Sequence, residues 1–313
     1  MSKYLSITAF FIALNIMFGA GATCSPAQTE NYARQLPNHV ELKWINIKSG
    51  ADSARRSSAQ DDSSPCRRFP KDQVFDSFDQ AFLTPEKARC LNPVFEGDDL
   101  KMKHLPSKLS TLVNLEVFQF GCLEQLKDLP AEIGNLRKLE ELIIDNGNGC
   151  SMNITLPREL GKLVNLRVLR LYGAIETPRL PETIGNLLKL EVLDIARNGL
   201  KVVPPQIAAL RSLKTLRLEY NDLRGLPTFV GNFKNLKELS LDSNGRMVVL
   251  PASLAKLKGL KISMGNDSLK LKDQQSLRSR FPQIVFSFED EFDDAAVNES
   301  SKPKAKSRPK RKG

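Results

Sequence analysis

The sequence predicts an α/β solenoid, in which each coil contributes one short strand to a single parallel sheet. Three observations predict this class. A Leu-Pro pair recurs every 23–27 residues through the middle of the chain. An apolar skeleton of constant spacing accompanies each pair, and polar flanks enclose the repeating region. Because a period of 20–50 residues is typical of stacked structural units, the repeat decides the fold class.

The Leu-Pro pairs define the coils between residues 105 and 264. Six begin with leucine and one with valine: Leu105, Leu129, Leu156, Leu180, Val203, Leu226 and Leu250. The intervals are 24, 27, 24, 23, 23 and 24 residues. The longest interval indicates that the early coils are less regular than the later ones.

Inside a coil the skeleton indicates a short strand and a tight turn. The series Leu190-x-x-Leu193-x-Ile195-x-x-Asn198 returns one coil later with Asn221 as its last member. Since side chains alternate along a strand, Leu193 faces the core and its neighbours face outward. No coil can enclose its leucines alone, so neighbouring coils must stack.

An asparagine ends this skeleton in the later coils. We expect Asn198, Asn221 and Asn244 to hydrogen-bond backbone groups in the turns, which would otherwise be buried without partners. The earlier coils have other residues at the same place: Leu123, Gly147 and Ala174. We expect those coils to turn less regularly.

The skeleton resembles the leucine-rich-repeat family over about residues 88–288, and is similar to bacterial secreted members with 23–24-residue Leu-Pro repeats. The resemblance implies an arc with a parallel sheet on its concave face and short helical or irregular turns on its convex face. It also implies that a partner binds the concave face. We expect that partner to be a protein, with a glycan as the other possibility.

Both ends of the repeat are expected to carry caps that cover the open core. Residues 77–104 predict a short helix and a degenerate first repeat, and residues 265–288 predict a polar helix and a closing strand. Residues 23–76 form an N-terminal segment with a flexible, Ser- and Ala-rich linker at 49–65. Residues 289–313 are expected to be a disordered tail, acidic and then basic.

The first 22 residues have the pattern of a signal peptide, with Lys3, an apolar run and the small residues Ala20-Gly21-Ala22. We therefore expect export to the periplasm, the cell surface or the medium. Two alternatives stay open: an uncleaved membrane anchor, and a lipid anchor at Cys24, whose preceding residues match a lipobox poorly.

Four further cysteines permit two disulfides in an oxidising compartment, namely Cys66, Cys90, Cys122 and Cys150. Three pairings are possible, and the sequence does not choose among them. Buried free thiols are the alternative.

Outward strand positions of the middle coils are the predicted partner-binding site. They are Val168, Arg170, Tyr172, Val192, Asp194, Arg217 and Glu219. Arg170, Asp194 and Arg217 are expected to form a charge ladder, beside an apolar patch of exposed valines. The alternative is a surface ion-pair network without function. On this picture, Asp194→Arg changes stability little.

The basic tail is a second candidate for binding. Its bases are Lys302, Lys304, Lys306, Arg308, Lys310, Arg311 and Lys312. They could attach the protein to a polyanion or an anionic membrane, or only keep it soluble. The net charge of +10 is otherwise spread along the chain, so it is only weak evidence for a nucleic-acid site.

No catalytic constellation is recognisable. The two histidines, His39 and His104, stand in no Ser/His/Asp or Cys/His arrangement, and no cysteine pair has zinc-ligand spacing. We therefore predict a non-catalytic exported protein-binding module, monomeric and without cofactor, metal or small-molecule substrate. The alternative is an envelope- or polyanion-associating scaffold attached through its tail.

Overall fold

The computed structural model describes residues 64–146, 152–175, 180–244, 249–265 and 269–288. The predicted leader, Cys24, residues 49–63 of the predicted linker, Cys150 and the tail lie outside these ranges. The described chain contains ten strands: β1 Val74–Phe75, β2 Cys90–Leu91, β3 Val117–Phe120, β4 Glu141–Asp145, β5 Val168–Tyr172, β6 Val192–Asp194, β7 Thr215–Arg217, β8 Glu238–Ser240, β9 Lys261–Ser263 and β10 Val285–Ser287.

All ten strands form one parallel sheet in sequence order, which confirms the predicted solenoid fold. The register keeps equivalent residues of successive coils side by side, as in the pairing of Leu169 with Leu193 and of Leu193 with Leu216. The inward residues of neighbouring strands therefore stack into one continuous apolar core, in which these leucines are fully buried.

A 3₁₀ helix of five residues follows the Leu-Pro or Val-Pro pair in each repeat, as the expected short helical turn. These helices span Ser107–Thr111, Ala131–Asn135, Arg158–Lys162, Glu182–Asn186, Pro205–Ala209, Thr228–Asn232 and Ala252–Lys256. The coils approach closely here. A Cβ atom on Gly161 would lie 2.3 Å from the Thr183 carbonyl oxygen, so the helix needs a glycine at this point.

The asparagines hold the turns together as expected. Asn221 Oδ1 accepts hydrogen bonds from the backbone N–H groups of Asn198 and Leu200, both at 3.0 Å. Its amide nitrogen donates to the carbonyl oxygens of Ile195 and Leu218. Because the asparagine is itself buried, it satisfies backbone groups that water cannot reach.

One early coil uses an asparagine that the skeleton did not identify. Asn146 stands one position before Gly147, yet it is buried and donates to the Gly173 carbonyl oxygen at 2.9 Å. The coil with the 27-residue interval thus has a buried turn asparagine, one position earlier than in the later coils.

The N-terminal cap is larger than expected. It contains helix α1, Phe78–Leu83, which was predicted, but also β1, which pairs with β2. A disulfide joins Cys66 to Cys90, and Cys122 is disulfide-bonded as well. The predicted cap boundary at residue 77 therefore lies inside the folded unit.

The C-terminal cap contains helix α2, Leu271–Arg280, followed by β10, which pairs with β9. Phe281 and Phe286 close the end of the core. Within the described ranges, the helices are too short or too polar to cross a membrane.

Candidate functional site

The outward side of the sheet has the register that the sequence predicted. Arg170 is paired with Asp194, and Asp194 with Arg217. Three rows of outward residues therefore run across the coils, one for each outward position of the strand. We call this surface the sheet face.

The first row of the sheet face is buried from β3 to β7, contrary to prediction. Val168 and Val192, expected to be exposed, have relative accessibilities of 2% and 5%. Strands in a sheet lie only about 4.8 Å apart, so neighbouring strands shield short side chains in this row from solvent. The two valines offer no apolar patch to a partner.

The second row contains the predicted charge ladder, in which Asp194 is buried and the two arginines are partly exposed. Arg170 Nε lies 3.3 Å from Asp194 Oδ2, and Arg170 Nη1 lies 3.9 Å from Asp145 Oδ2. Asp194 is only 2% accessible, and its Oδ1 accepts a hydrogen bond from the Ala196 N–H at 3.1 Å. Asp194 is thus a structural link between two coils.

Burial raises the pKa of the Asp194 carboxyl above its ordinary value. Arg170, the Ala196 N–H and Arg217 act in the opposite direction without reversing the shift. The desolvation of a buried ion pair outweighs its Coulombic gain here. The expectation that Asp194→Arg leaves stability unchanged is therefore wrong, because the new side chain would be buried beside two arginines.

The third row carries a carboxylate with an unused oxygen. Glu219 Oε2 is buried and has no hydrogen-bond partner among the described residues. Burial raises the pKa of Glu219, and the nearby Asp194 raises it further, whereas its own N–H, Ser240 and Arg217 lower it.

Two exposed side chains beside Glu219 were missed by sequence reasoning. Arg197 and Tyr220 stand immediately before Asn198 and Asn221, in left-handed backbone with φ of 57° and 54°. Gly173 and Ser243 have the same conformation at this place in their coils, so the turn requires it. Their position directly before a turn asparagine is the sequence feature that could have identified them.

Tyr172, Arg197 and Tyr220 lie together at the margin of the sheet face. Burial raises the pKa of the Tyr172 hydroxyl, while Arg197, which hydrogen-bonds it, acts in the opposite direction. Tyr220 is 55% accessible. We call the partly or fully exposed residues of this region the open strip: Arg170, Tyr172, Arg197, Arg217, Glu219 and Tyr220.

At its N-terminal end the sheet face is covered by the chain itself. Cys66, disulfide-bonded to Cys90, buries Val117 together with Phe69. Arg68 reaches further and forms an ion pair with Glu141 at 2.5 Å. This cover lies over the first outward position of β3 and β4.

Among the described residues, no group of three or more His, Cys, Asp and Glu side chains could hold a metal ion. His104 Nδ1 lies 3.3 Å from Asp128 Oδ1 on the surface, away from the sheet face. The predicted tail bases, Lys302–Lys312, lie outside the described residues.

Comparison with known proteins places the repeat in a family. Residues 148–281 match the model of a leucine-rich repeat region. No curated protein matches the chain.

Three solved structures illustrate the similarity in fold. A leucine-rich-repeat protein of Leptospira interrogans is 22% identical, with 73% of this chain and 68% of that chain covered and a TM-score of 0.44. An internalin of Listeria monocytogenes is 17% identical, with coverages of 62% and 72% and a TM-score of 0.37.

The Arabidopsis receptor kinase HAESA, in complex with a peptide hormone, is 21% identical, with coverages of 66% and 40% and a TM-score of 0.42. This chain thus spans less than half of the receptor ectodomain. The match identifies the repeats within residues 148–281 as leucine-rich repeats, and the parallel sheet continues with the same register into the coils before them.

Proposed function

We propose that the protein is a non-catalytic binding module that holds a protein partner on the open strip. The leucine-rich-repeat fold commonly mediates protein binding. The observation that carries the proposal is the exposure of charged and aromatic side chains on the open strip, where Tyr220 is 55% accessible and stands beside the partly exposed Glu219. A partner that brings a donor to the accessible part of the Glu219 carboxyl gains a charge-assisted hydrogen bond.

The open strip favours a partner segment with its own basic or N–H donor. Arginine and tyrosine are enriched among the residues that anchor protein interfaces, and the open strip contains three arginines and two tyrosines besides Glu219. The strip is bounded on one side by the covered coils of the N-terminal cap. A partner would therefore contact β5 to β8 rather than the whole sheet.

Export remains part of the proposal. The apolar pattern of residues 1–22 supports it, and so does the Cys66–Cys90 disulfide, since disulfides persist mainly in oxidising compartments. Attachment through the basic tail stays the alternative to binding at the open strip.

Affinity capture with matched variants tests the proposal. Immobilised full-length chain is exposed to envelope proteins, and the captured proteins are quantified for wild type, Glu219→Gln and Tyr220→Ala. Loss of a charge-assisted hydrogen bond weakens binding by about 10- to 100-fold. Leu271→Ala is the control, because Leu271 is an exposed apolar residue on α2, away from the strip.

A partner captured by wild type and Leu271→Ala, but lost with the two strip variants at unchanged melting temperature, supports the proposal. Equal capture by all four chains contradicts it.

A further inference from the structure

A basic surface lies beside the sheet, in the turns that lead into β7, β8 and β9. Three consecutive coils contain the same four-residue pattern, a base, one residue, leucine and lysine: Arg211–Lys214, Lys234–Lys237 and Lys258–Lys261. All six bases are exposed. We call these six residues the basic ridge.

Backbone hydrogen bonds stack the ridge residues from coil to coil. The Lys237 N–H donates to the Lys214 carbonyl oxygen and the Lys261 N–H to the Lys237 carbonyl oxygen, both at 2.8 Å. Asn235, between the two lysines of its coil, donates from its side chain to the Arg211 carbonyl oxygen at 3.0 Å. Lys214 and Lys237 therefore lie side by side at about the strand spacing of 4.8 Å, whereas Lys261 is paired with Glu238.

The earlier coils neutralise the same column of positions. Arg89 pairs with Glu116, Arg68 contacts Glu140, and Arg167 pairs with Glu191. Burial opposes ionisation of Glu191, but hydrogen bonds from Lys214 and Arg167 lower its pKa overall. The column continues with Lys214 and Lys237, two successive bases.

Of the six ridge bases, Lys214 alone has an ion pair within the described ranges, with Glu191 at 2.8 Å. Like charges placed opposite one another in neighbouring strands are destabilising. The other five bases have no acidic side chain at ion-pair distance within the described ranges, so an external anion is the counter-charge that fits them.

We propose that the basic ridge binds a linear anionic polysaccharide. The ridge is a narrow strip across three coils, which fits one extended polymer chain. Five of its six bases are lysines, which act as point charges and recognise charge density rather than one planar group. No aromatic residue occurs in the three patterns, whereas single-stranded nucleic acids are held by stacking on aromatics.

A membrane surface fits the ridge less well. Peripheral membrane binding combines bases with apolar or aromatic side chains that enter the lipid. The ridge patterns contain only the buried leucines at 213, 236 and 260 as large apolar residues.

Binding of full-length protein to heparin, measured over a range of salt concentrations, tests the proposal. The ridge variant carries Lys234→Glu, Lys237→Glu and Lys258→Glu. The control carries Lys108→Glu, Lys201→Glu and Lys272→Glu, which change the net charge equally at exposed positions elsewhere. A third chain lacks residues 302–313.

We expect the ridge variant to bind heparin at least about tenfold more weakly, with a salt slope smaller by about three, because three counterion-releasing contacts are lost. The control and the tail-deleted chain retain ridge-dependent binding. Equal weakening of ridge and control variants overturns the proposal, as does heparin binding that depends on the tail alone. Tighter ridge-dependent binding to phosphatidylserine vesicles or single-stranded DNA than to heparin also overturns it.

Discussion

The turn asparagines allow the energetics of the repeat to be tested at one position. Asn221→Ala removes the acceptor for the buried N–H groups of Asn198 and Leu200. An unsatisfied buried donor costs about 1–3 kcal/mol, so two cost about 2–6 kcal/mol. That is a large part of the about 5–15 kcal/mol by which domains are usually stable.

Asn146→Ala is the matched control. Asn146 is as buried as Asn221, at 4% accessibility, but its Oδ1 has no partner among the described residues. Only the donation to Gly173 is lost, and the expected cost is about 1 kcal/mol. The free energy of unfolding is measured by urea titration of each chain. Equal destabilisation by the two variants would refute the reasoning, because burial and not hydrogen bonding would then decide the cost.

Three further changes test other parts of the account. We expect the melting temperature of Asp194→Asn to rise relative to that of the wild type as the pH rises from about 4 to 7. The raised pKa means that the favourable contribution of Asp194 is fully present below its ordinary value of 3.8 and is lost as pH rises through the folded-state pKa. Melting temperatures at both pH values check this, and a constant difference contradicts it. Replacing Cys66 and Cys90 by serine should cost about 3 kcal/mol for a sequence separation of 24, measured by denaturant unfolding; no loss would show that the cap folds without the bond. Gly161→Ala should cost about 1–3 kcal/mol because its Cβ meets the next coil, whereas Gly185→Ala, with 3.3 Å to its nearest neighbours, should cost less; reversed costs would exclude the close approach as the cause.

The register of the sheet was predictable because the repeat is local and periodic. Once Leu193 is known to face inward, a spacing of 23 residues places Leu216 beside it. The hydrogen bonds of Asn221 follow from the same regularity. The pairing of Arg170 with Asp194 was predicted for this reason too.

Accessibility along the sheet face was not predictable from alternation alone. Alternation says that Val192 and Asp194 face outward, but burial depends on the side chains of the neighbouring coils. The cover over β3 and β4 was missed because it rests on a disulfide between residues that the repeat does not relate, Cys66 and Cys90. Tyr220 was missed because it lies in the turn, beyond the strand.

The central claim is that a protein partner contacts the open strip, and site-specific cross-linking tests it most directly. A photoreactive phenylalanine analogue is placed at position 220, and in a separate chain at position 271, and each protein is irradiated with envelope proteins. The account predicts a discrete covalent adduct from position 220 and none from position 271. Adducts from position 271 alone, or the same pattern from both positions, would contradict it.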